Sequence, residues 1–226
     1  MEKEKMGFKK WFDNYWYHYK WPTILGVFLL FVLIVGIVQC SARVEADVIM
    51  MYAGPEQLSF DEIRSLKESA VKVMQEDYNG DGNQMVEYLE NVVIVEDYTV
   101  EDLNGEEKIV IDKQEQIEQY VTQVAAGDAQ IYLLSADVYH DLSRQGVLVP
   151  LEDVFDTVPV ENHDSYSFEL GVLGIHELPG FSALPEKTYV CLRAAKTMGV
   201  LDPAKAEAEH AWALDLFRAL VTYQVA

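Results

Sequence analysis

The residues of this chain best suited to chemistry lie in one short stretch, 76–83, which reads EDYNGDGN. Asp77, Asn79 and Asp81 alternate along it, and Gly82 follows at the sixth position of the pattern. Calcium takes six to eight oxygen ligands, which alternate side chains of a tight loop supply while the glycine permits a sharp turn. Asn83 offers a backbone carbonyl at the seventh position. The spacing therefore predicts a calcium site.

The second half of the stretch departs from a complete calcium loop. The twelfth position, where a bidentate glutamate is expected, holds Tyr88, and Glu87 comes one place early. The ninth position holds Met85, which has no side-chain oxygen. With Glu87 or a remote acid completing the site, calcium would bind weakly, with a Kd of roughly 10⁻⁴ to 10⁻³ M, and would be a structural ion. A plain turn is the alternative, since Asn and Gly tolerate positive φ and Asp accepts backbone N–H groups.

The other residue types that carry chemistry predict no reaction. The sequence has no G-x-S-x-G motif and no glycine-rich phosphate loop. Cys191 stands in the apolar run YVCL, a pattern typical of an inert core thiol. The five histidines are scattered, without the spacing of a zinc site. We therefore expect a non-catalytic protein with no cofactor other than the predicted calcium.

The elements that must position these residues begin with a membrane segment. Residues 21–42 carry no charge and would span about 33 Å as a helix, enough to cross a bilayer core. The run is longer than the apolar part of a cleaved signal peptide, which favours an uncleaved signal anchor. Five lysines precede it, so we expect residues 1–20 in the cytoplasm and residues 43–226 outside the cell. The aromatic segment before the span is typical of an interfacial belt, with a partner-binding helix as the alternative.

The outer part of the chain is strongly acidic. Residues 44–226 carry 11 basic and 35 acidic side chains, a formal charge of −24. Such a surface repels nucleic acid and attracts cations. Apolar residues recur periodically throughout, which indicates a folded domain rather than a disordered chain. With Cys40 at the membrane edge and Cys191 in a strand, we expect no disulfide framework.

The outer residues alternate strand-like and helix-like patterns. Ser59 and Glu62 form a capping box for a helix over 60–76, and Gly127 is placed to end a second helix. The buried run AQIYLL follows, then a short helix that stops at Gly146, and VLVPLEDVF is expected to be extended. The segment 156–187 is rich in Pro and Gly and predicts irregular structure. This alternation favours an α/β fold with a mostly parallel sheet.

The residues 119–155 resemble the first lobe of bacterial extracellular solute-binding proteins of carbohydrate ABC transporters. The matching features are Ala125–Asp128 at the end of a helix, the buried strand Ile131–Leu134, and the segment Gly146–Asp153. The entry YWYHYKWPTI to the span is similar to that of uncharacterised membrane-anchored proteins of Firmicutes-type bacteria. The loop at 76–83 likewise resembles the calcium loop of the galactose-binding protein, where a helix leads through the loop into a strand. The resemblance implies a single periplasmic-binding-protein-like lobe on a membrane anchor.

The chain departs from that family in having room for one lobe only. Solute-binding proteins hold their ligand between two lobes, and about 30 irregular residues stand here where the second would be inserted. The resemblance therefore implies a binding or adaptor domain beside a transporter or cell-envelope complex. The alternative is a degenerate receptor for a sugar-like solute, bound on the open face of the lobe. Tyr166, Phe168, His176 and Phe181 would supply a ligand or partner surface there, or would instead cover the sheet end.

Overall fold

The computed structural model describes residues 8–41, 44–93, 99–101, 107–109, 113–160, 164–195 and 202–224. The chain divides into two compact units, Met1–Val44 and Glu45–Ala226. The first unit is a single helix, and the second is an α/β unit. We refer to them as the helical unit and the outer unit.

The helical unit consists of α1 (Phe8–Ser41), which begins before the predicted span and continues through Pro22. Its stretch Tyr15–Val38 has a mean hydropathy of 2.6 and none of it is buried, so the helix is long and apolar enough to cross a membrane. On the preceding turns Phe12 stacks on Trp16. The hydroxyls of Tyr15 and Thr23 lie 2.8 Å apart, which joins the aromatic segment to the first turns of the apolar stretch.

The outer unit alternates strands and helices as the sequence predicts. In chain order its elements are β1 (Val48–Gly54), α2 (Phe60–Val73), β2 (Val86–Val92), β3 (Thr99–Glu101), β4 (Glu107–Ile109), α3 (Lys113–Ala126), β5 (Ile131–Leu134), α4 (Ala136–Ser143), α5 (Leu151–Val154), β6 (Ser167–Glu169), β7 (Tyr189–Leu192) and α6 (Pro203–Thr222). Strands β3 and β4 form a separate antiparallel pair. Asn104 and Gly105 between them, a pair typical of a hairpin turn, lie outside the described residues.

The main sheet is mixed, which corrects the prediction of a mostly parallel sheet. Its strand order is β2-β1-β5-β7-β6. Strand β1 pairs in parallel with β2 and with β5, whereas β7 pairs antiparallel with β5 and with β6. A parallel return to the sheet needs a crossover of a dozen or more residues, usually through an α-helix. The chain between β6 and β7 contains only short 3₁₀ turns, and it re-enters the sheet in the opposite direction.

Two apolar clusters cover the opposite faces of the sheet. The larger joins α2 and α6 to the face of β1 that carries Val48, Met50 and Tyr52. The smaller joins α4 to the face that carries Met51 and Ala53. Because side chains alternate along a strand, β1 is buried on both faces. The sheet is therefore a central layer between helices, as expected for an α/β fold.

Local signals place several element ends where the sequence predicts them. Ser59 and Glu62 form both halves of the capping box that starts α2. Gly127 ends α3 at φ +68°, and its N–H donates to the Gln123 carbonyl. Helix α2 ends at Val73, three residues earlier than predicted, because Met74 has extended ψ. The run VLVPLEDVF, predicted to be extended, contains the helical turn α5, for which Pro150 is the N-cap residue.

The segment between β6 and β7 packs closely against α2. It contains three 3₁₀ turns, Leu170–Val172, Gly174–Glu177 and Phe181–Ala183. Gly180 has φ +86°, and a Cβ built on it would lie 2.2 Å from the Leu66 backbone nitrogen. Ser69 on the same helix donates a 2.9 Å hydrogen bond to the Pro179 carbonyl. Contact with the helix backbone at this point thus requires glycine.

We predict that Gly180→Ala destabilises the outer unit by about 3–5 kcal/mol, because it adds overpacking to an unfavourable positive φ. Gly146→Ala is the matched control, since Gly146 also has positive φ but a Cβ added to it would meet no atom within 4 Å. It should cost only about 1–2 kcal/mol. Urea unfolding of the full chain in detergent micelles, followed by circular dichroism, measures both. Equal losses in the two variants would contradict the close contact.

Candidate functional site

The predicted calcium loop connects α2 to β2, as the sequence indicates. The Asp77 carboxylate accepts the N–H groups of Gly80 and Gly82, at 2.9 and 2.7 Å. Asn79 Oδ1 accepts the N–H of Asp81, and Asp81 Oδ1 accepts that of Asn83, each at 2.8 Å. Gly80 and Gly82 have positive φ. The side-chain oxygens of the loop therefore fold it by accepting its own backbone N–H groups.

A buried carboxylate outside the stretch ties this loop to the sheet. Asp47, just before β1, is 1% exposed. Its Oδ1 accepts the Asn79 N–H at 2.9 Å and its Oδ2 accepts the Met85 N–H at 2.8 Å. Its own N–H donates to the Met85 carbonyl at 2.8 Å. Both oxygens of Asp47 are thus satisfied by backbone donors, which is how a buried carboxylate is stabilised without a cation.

The structure places Glu87 with a different partner. Both of its carboxylate oxygens lie 3.2 Å from Lys67 Nζ, so β2 is joined to α2 by this ion pair. A calcium ion held by Asp77, Asn79 and Asp81 would have to draw Glu87 from Lys67 or recruit another acid. Within the described ranges, no group of three His, Cys, Asp or Glu side chains is arranged to hold a metal ion. Calcium binding by the loop remains a prediction.

The predicted ligand or partner surface is corrected for two of its four residues. Phe168 and Phe181 are 0% exposed and belong to the larger apolar cluster. The Phe168 ring meets Phe155 edge-on, with centroids 6.0 Å apart. Buried rings cannot contact a ligand, and their aromatic size, which suggested a surface, serves the core instead. Tyr166 and His176 are half-buried and keep part of their surface open.

A cavity of about 400 Å³ lies at the edge of the sheet where β1 and β5 begin and β7 ends. Arg193 follows β7 and lies on its wall, together with Gly127, Lys205 and His210. A Cβ built on Gly127 would lie 2.5 Å from Arg193 Nη2. Glycine at position 127 therefore leaves the space that the guanidinium occupies. Arg193 Nη1 donates to the Ala194 carbonyl at 3.0 Å. No sequence pattern marks this cavity, because its residues are scattered along the chain.

The surroundings of the cavity shift the pKa values of two side chains, His210 and Tyr132. Burial lowers the pKa of His210, and the charge of Arg193 lowers it further. Burial raises the pKa of Tyr132 to about 12, while the nearby Arg193 guanidinium acts in the opposite sense. Because His210 is neutral, the positive charges on the cavity wall are those of Arg193 and Lys205.

We predict that Asp47 stabilises the loop more than Asp81 does. Asp47→Ala leaves two N–H groups without their charged acceptor, one of them at the buried sheet edge, and should cost about 2–4 kcal/mol of the free energy of unfolding. Asp81→Ala removes one exposed hydrogen bond and should cost less than about 1 kcal/mol in chelator. Thermal melting of the full chain compares the two variants, and equal losses would contradict the ranking.

The same melts test calcium. Occupancy at ten times the Kd would add about 1.4 kcal/mol to wild-type stability, and Asp81→Ala should abolish the increase. If the wild-type melting temperature is the same in excess calcium and in chelator, the plain-turn interpretation holds.

The lowered pKa of His210 predicts a pH dependence. Because the unfolded chain binds this proton more readily, the stabilisation is present above about pH 6.5, the ordinary histidine pKa, and is lost as the pH falls. Between pH 7.5 and 5.5 the wild type should therefore lose more unfolding free energy than His210→Gln does. His210→Ala, which also removes the titrating ring, is the second variant and should follow His210→Gln rather than the wild type. Parallel curves for wild type and His210→Gln would contradict the assignment.

Comparison with known proteins supplies no relative for this chain. No protein-family model matches it, and no curated protein and no solved structure matches it either. The resemblance to solute-binding proteins therefore remains a prediction from the sequence motifs, chiefly those at 119–155. What the chain does has to be argued from its own residues.

Proposed function

We propose that the chain is a membrane-anchored, non-catalytic binding or adaptor domain that works outside the cell beside a transporter or cell-envelope complex. The observation that carries this proposal is the division of the chain into an unburied apolar helix and a compact α/β unit. A helix of that length and hydropathy suits an anchor, and the lysines before it favour a cytoplasmic N-terminus. The acidic outer unit would then face the cell exterior.

The chemistry of the outer unit supports a binding role. Cys191 is 0% exposed, and burial raises the pKa of its thiol well above the ordinary value, which disfavours the reactive thiolate. Asp164 accepts hydrogen bonds from the Ser167 hydroxyl and the Tyr139 hydroxyl, so it holds the loop before β6 to α4. These contacts join elements of the fold and activate no nucleophile.

A degenerate receptor is the second candidate, and the strand order favours it. Strands β1 and β5 are neighbours in the sheet, and the helix that follows β1, α2, lies on one face while the helix that follows β5, α4, lies on the other. The carboxyl ends of β1 and β5 therefore form a switch point, where α/β sheets commonly bind ligands. Ser135, the N-cap residue of α4 at this point, makes no side-chain cap, and its hydroxyl has no hydrogen-bond partner among the described residues.

Crosslinking the full chain in its native membrane, followed by mass spectrometry, tests the first proposal. We expect one or a few transporter or envelope proteins to be enriched, because an adaptor has a dedicated partner. The control is a chain that keeps residues 1–44 and lacks the outer unit, from which these partners should be missing. Capture that persists without the outer unit would contradict the adaptor role. An absence of partners, together with a melting shift on adding mono- or disaccharides, would favour the receptor.

A further inference from the structure

The cavity at the start of β1 and β5 contains an arginine without a counter-ion in the described part of the chain. Two other arginines of the outer unit have acidic neighbours, Arg64 with Asp61 at 2.8 Å and Arg218 with Asp215 at 3.8 Å. Arg193 is half-buried and forms no ion pair with any residue that the structure describes. A half-buried guanidinium is costly without a partner, and an unpaired one is unexpected in a unit with a formal charge of −24.

Three of the four acidic side chains described on the cavity wall, those of Asp47, Asp202 and Glu209, are already engaged with other groups. Both oxygens of Asp47 accept backbone N–H groups, and Asp202 Oδ1 caps α6 through the N–H groups of Ala204 and Lys205. Lys205 Nζ lies 2.9 Å from Glu45 and 3.8 Å from Glu209. Asp128, the fourth, is exposed to solvent, which screens its charge. Among the described residues of the wall, Arg193 is thus the positively charged side chain that has no ion-paired acid.

The guanidinium of Arg193 lies on the cavity wall and uses only part of its hydrogen-bonding capacity within the described residues. On its inner side Nε is buried, close to the Tyr132 hydroxyl, and neither atom has a hydrogen-bond partner of good geometry among the described residues. Nη1 donates to the Ala194 carbonyl, and Nη2 occupies the space that a Cβ on residue 127 would need. Nη2 has no hydrogen-bond acceptor within the described ranges and is not among their buried unpaired atoms. It is the donor available to a molecule in the cavity.

The surrounding charges decide which anion suits this donor. A carboxylate brings one negative charge and accepts two parallel N–H bonds from a guanidinium. A phosphate dianion would place a second charge among Asp128, Asp202 and Glu209, which raises the repulsion without adding a partner. A volume of about 400 Å³ lies within the range of small-ligand sites.

We propose that this cavity binds a small monocarboxylate, whose carboxylate pairs with the Nη edge of Arg193 and supplies the missing counter-ion. Lys205 and the half-buried, uncharged His210 stand on the α6 side of the bound group. The site lies at the edge of the sheet opposite the carboxyl-end switch point. It is independent of the proposed adaptor role, because a partner protein could be captured whether or not the cavity is filled.

The test uses the full chain in detergent micelles with ¹⁵N-labelled arginine and acetate as the probe. The sequence has five arginines, at positions 43, 64, 144, 193 and 218, and Arg→Lys variants assign their Nε–H resonances. We expect the Arg193 resonance to shift saturably with sodium acetate and to stay in place with sodium chloride at equal ionic strength. Phosphate at the same concentration should produce a smaller shift.

Two internal controls make the result decisive. Arg218 Nε already donates to the Val154 carbonyl at 3.1 Å, so its resonance should not move. Glu209→Gln removes one negative charge from the wall and should tighten acetate binding by about twofold to threefold. An Arg193 resonance that ignores acetate, or that moves in parallel with Arg64 and Arg218, would overturn the proposal. Captured partners without an acetate response would leave the adaptor role intact and remove only this site.

Discussion

The outer unit depends on the carboxylate of Asp47. Its two oxygens hold the N–H groups of Asn79 and Met85, and its own N–H reaches the Met85 carbonyl. These three bonds bring the chain back beside β1 after α2, and the parallel register that begins with Val48 opposite Val86 follows directly. Since β1 is the strand on which both β2 and β5 assemble, the geometry at this single residue propagates into the whole parallel half of the sheet.

The features that the sequence predicted are those set by neighbouring residues. The capping box at Ser59 and Glu62 and the left-handed Gly127 each involve residues a few positions apart, so their patterns are visible in one dimension. The direction of β7 and the role of Asp47 depend on contacts far along the chain, and no local pattern reports them. For helix α3, the sequence pattern indicates the buried face only in part. Ile117, Tyr120, Val121 and Val124 recur at helical spacing and would form one apolar face, but only Tyr120 and Val124 pack inward, whereas Ile117 and Val121 are 46% and 53% exposed.

For the candidate sites, too, the sequence shows local patterns but not the contacts between distant residues. Alternating oxygens at 77, 79 and 81 predict calcium, and in the structure the same oxygens accept backbone N–H groups of the loop. The aromatic residues Phe168 and Phe181 suggested a surface, because size and aromaticity do not distinguish a core ring from a contact ring. Arg193 gave no signal, because its significance lies in having no ion-paired acid among the described residues, which only a folded arrangement reveals. In a strongly acidic protein, a cationic side chain that has no ion-paired acid among the described residues therefore marks a candidate binding site.

The position of β7 bears on how the chain reaches its folded state during synthesis. Strand β6 comes earlier in the sequence but hydrogen-bonds to the sheet only through β7, which lies between it and β5. The sheet can therefore pair β1, β2 and β5 as soon as residue 134 has emerged, while β6 waits until residue 192. Until then the edge of β5 that β7 will cover has no strand beside it, so a strand of another chain could pair with it incorrectly. A chain interrupted before β7 would retain its apolar helix and present an unfinished sheet edge.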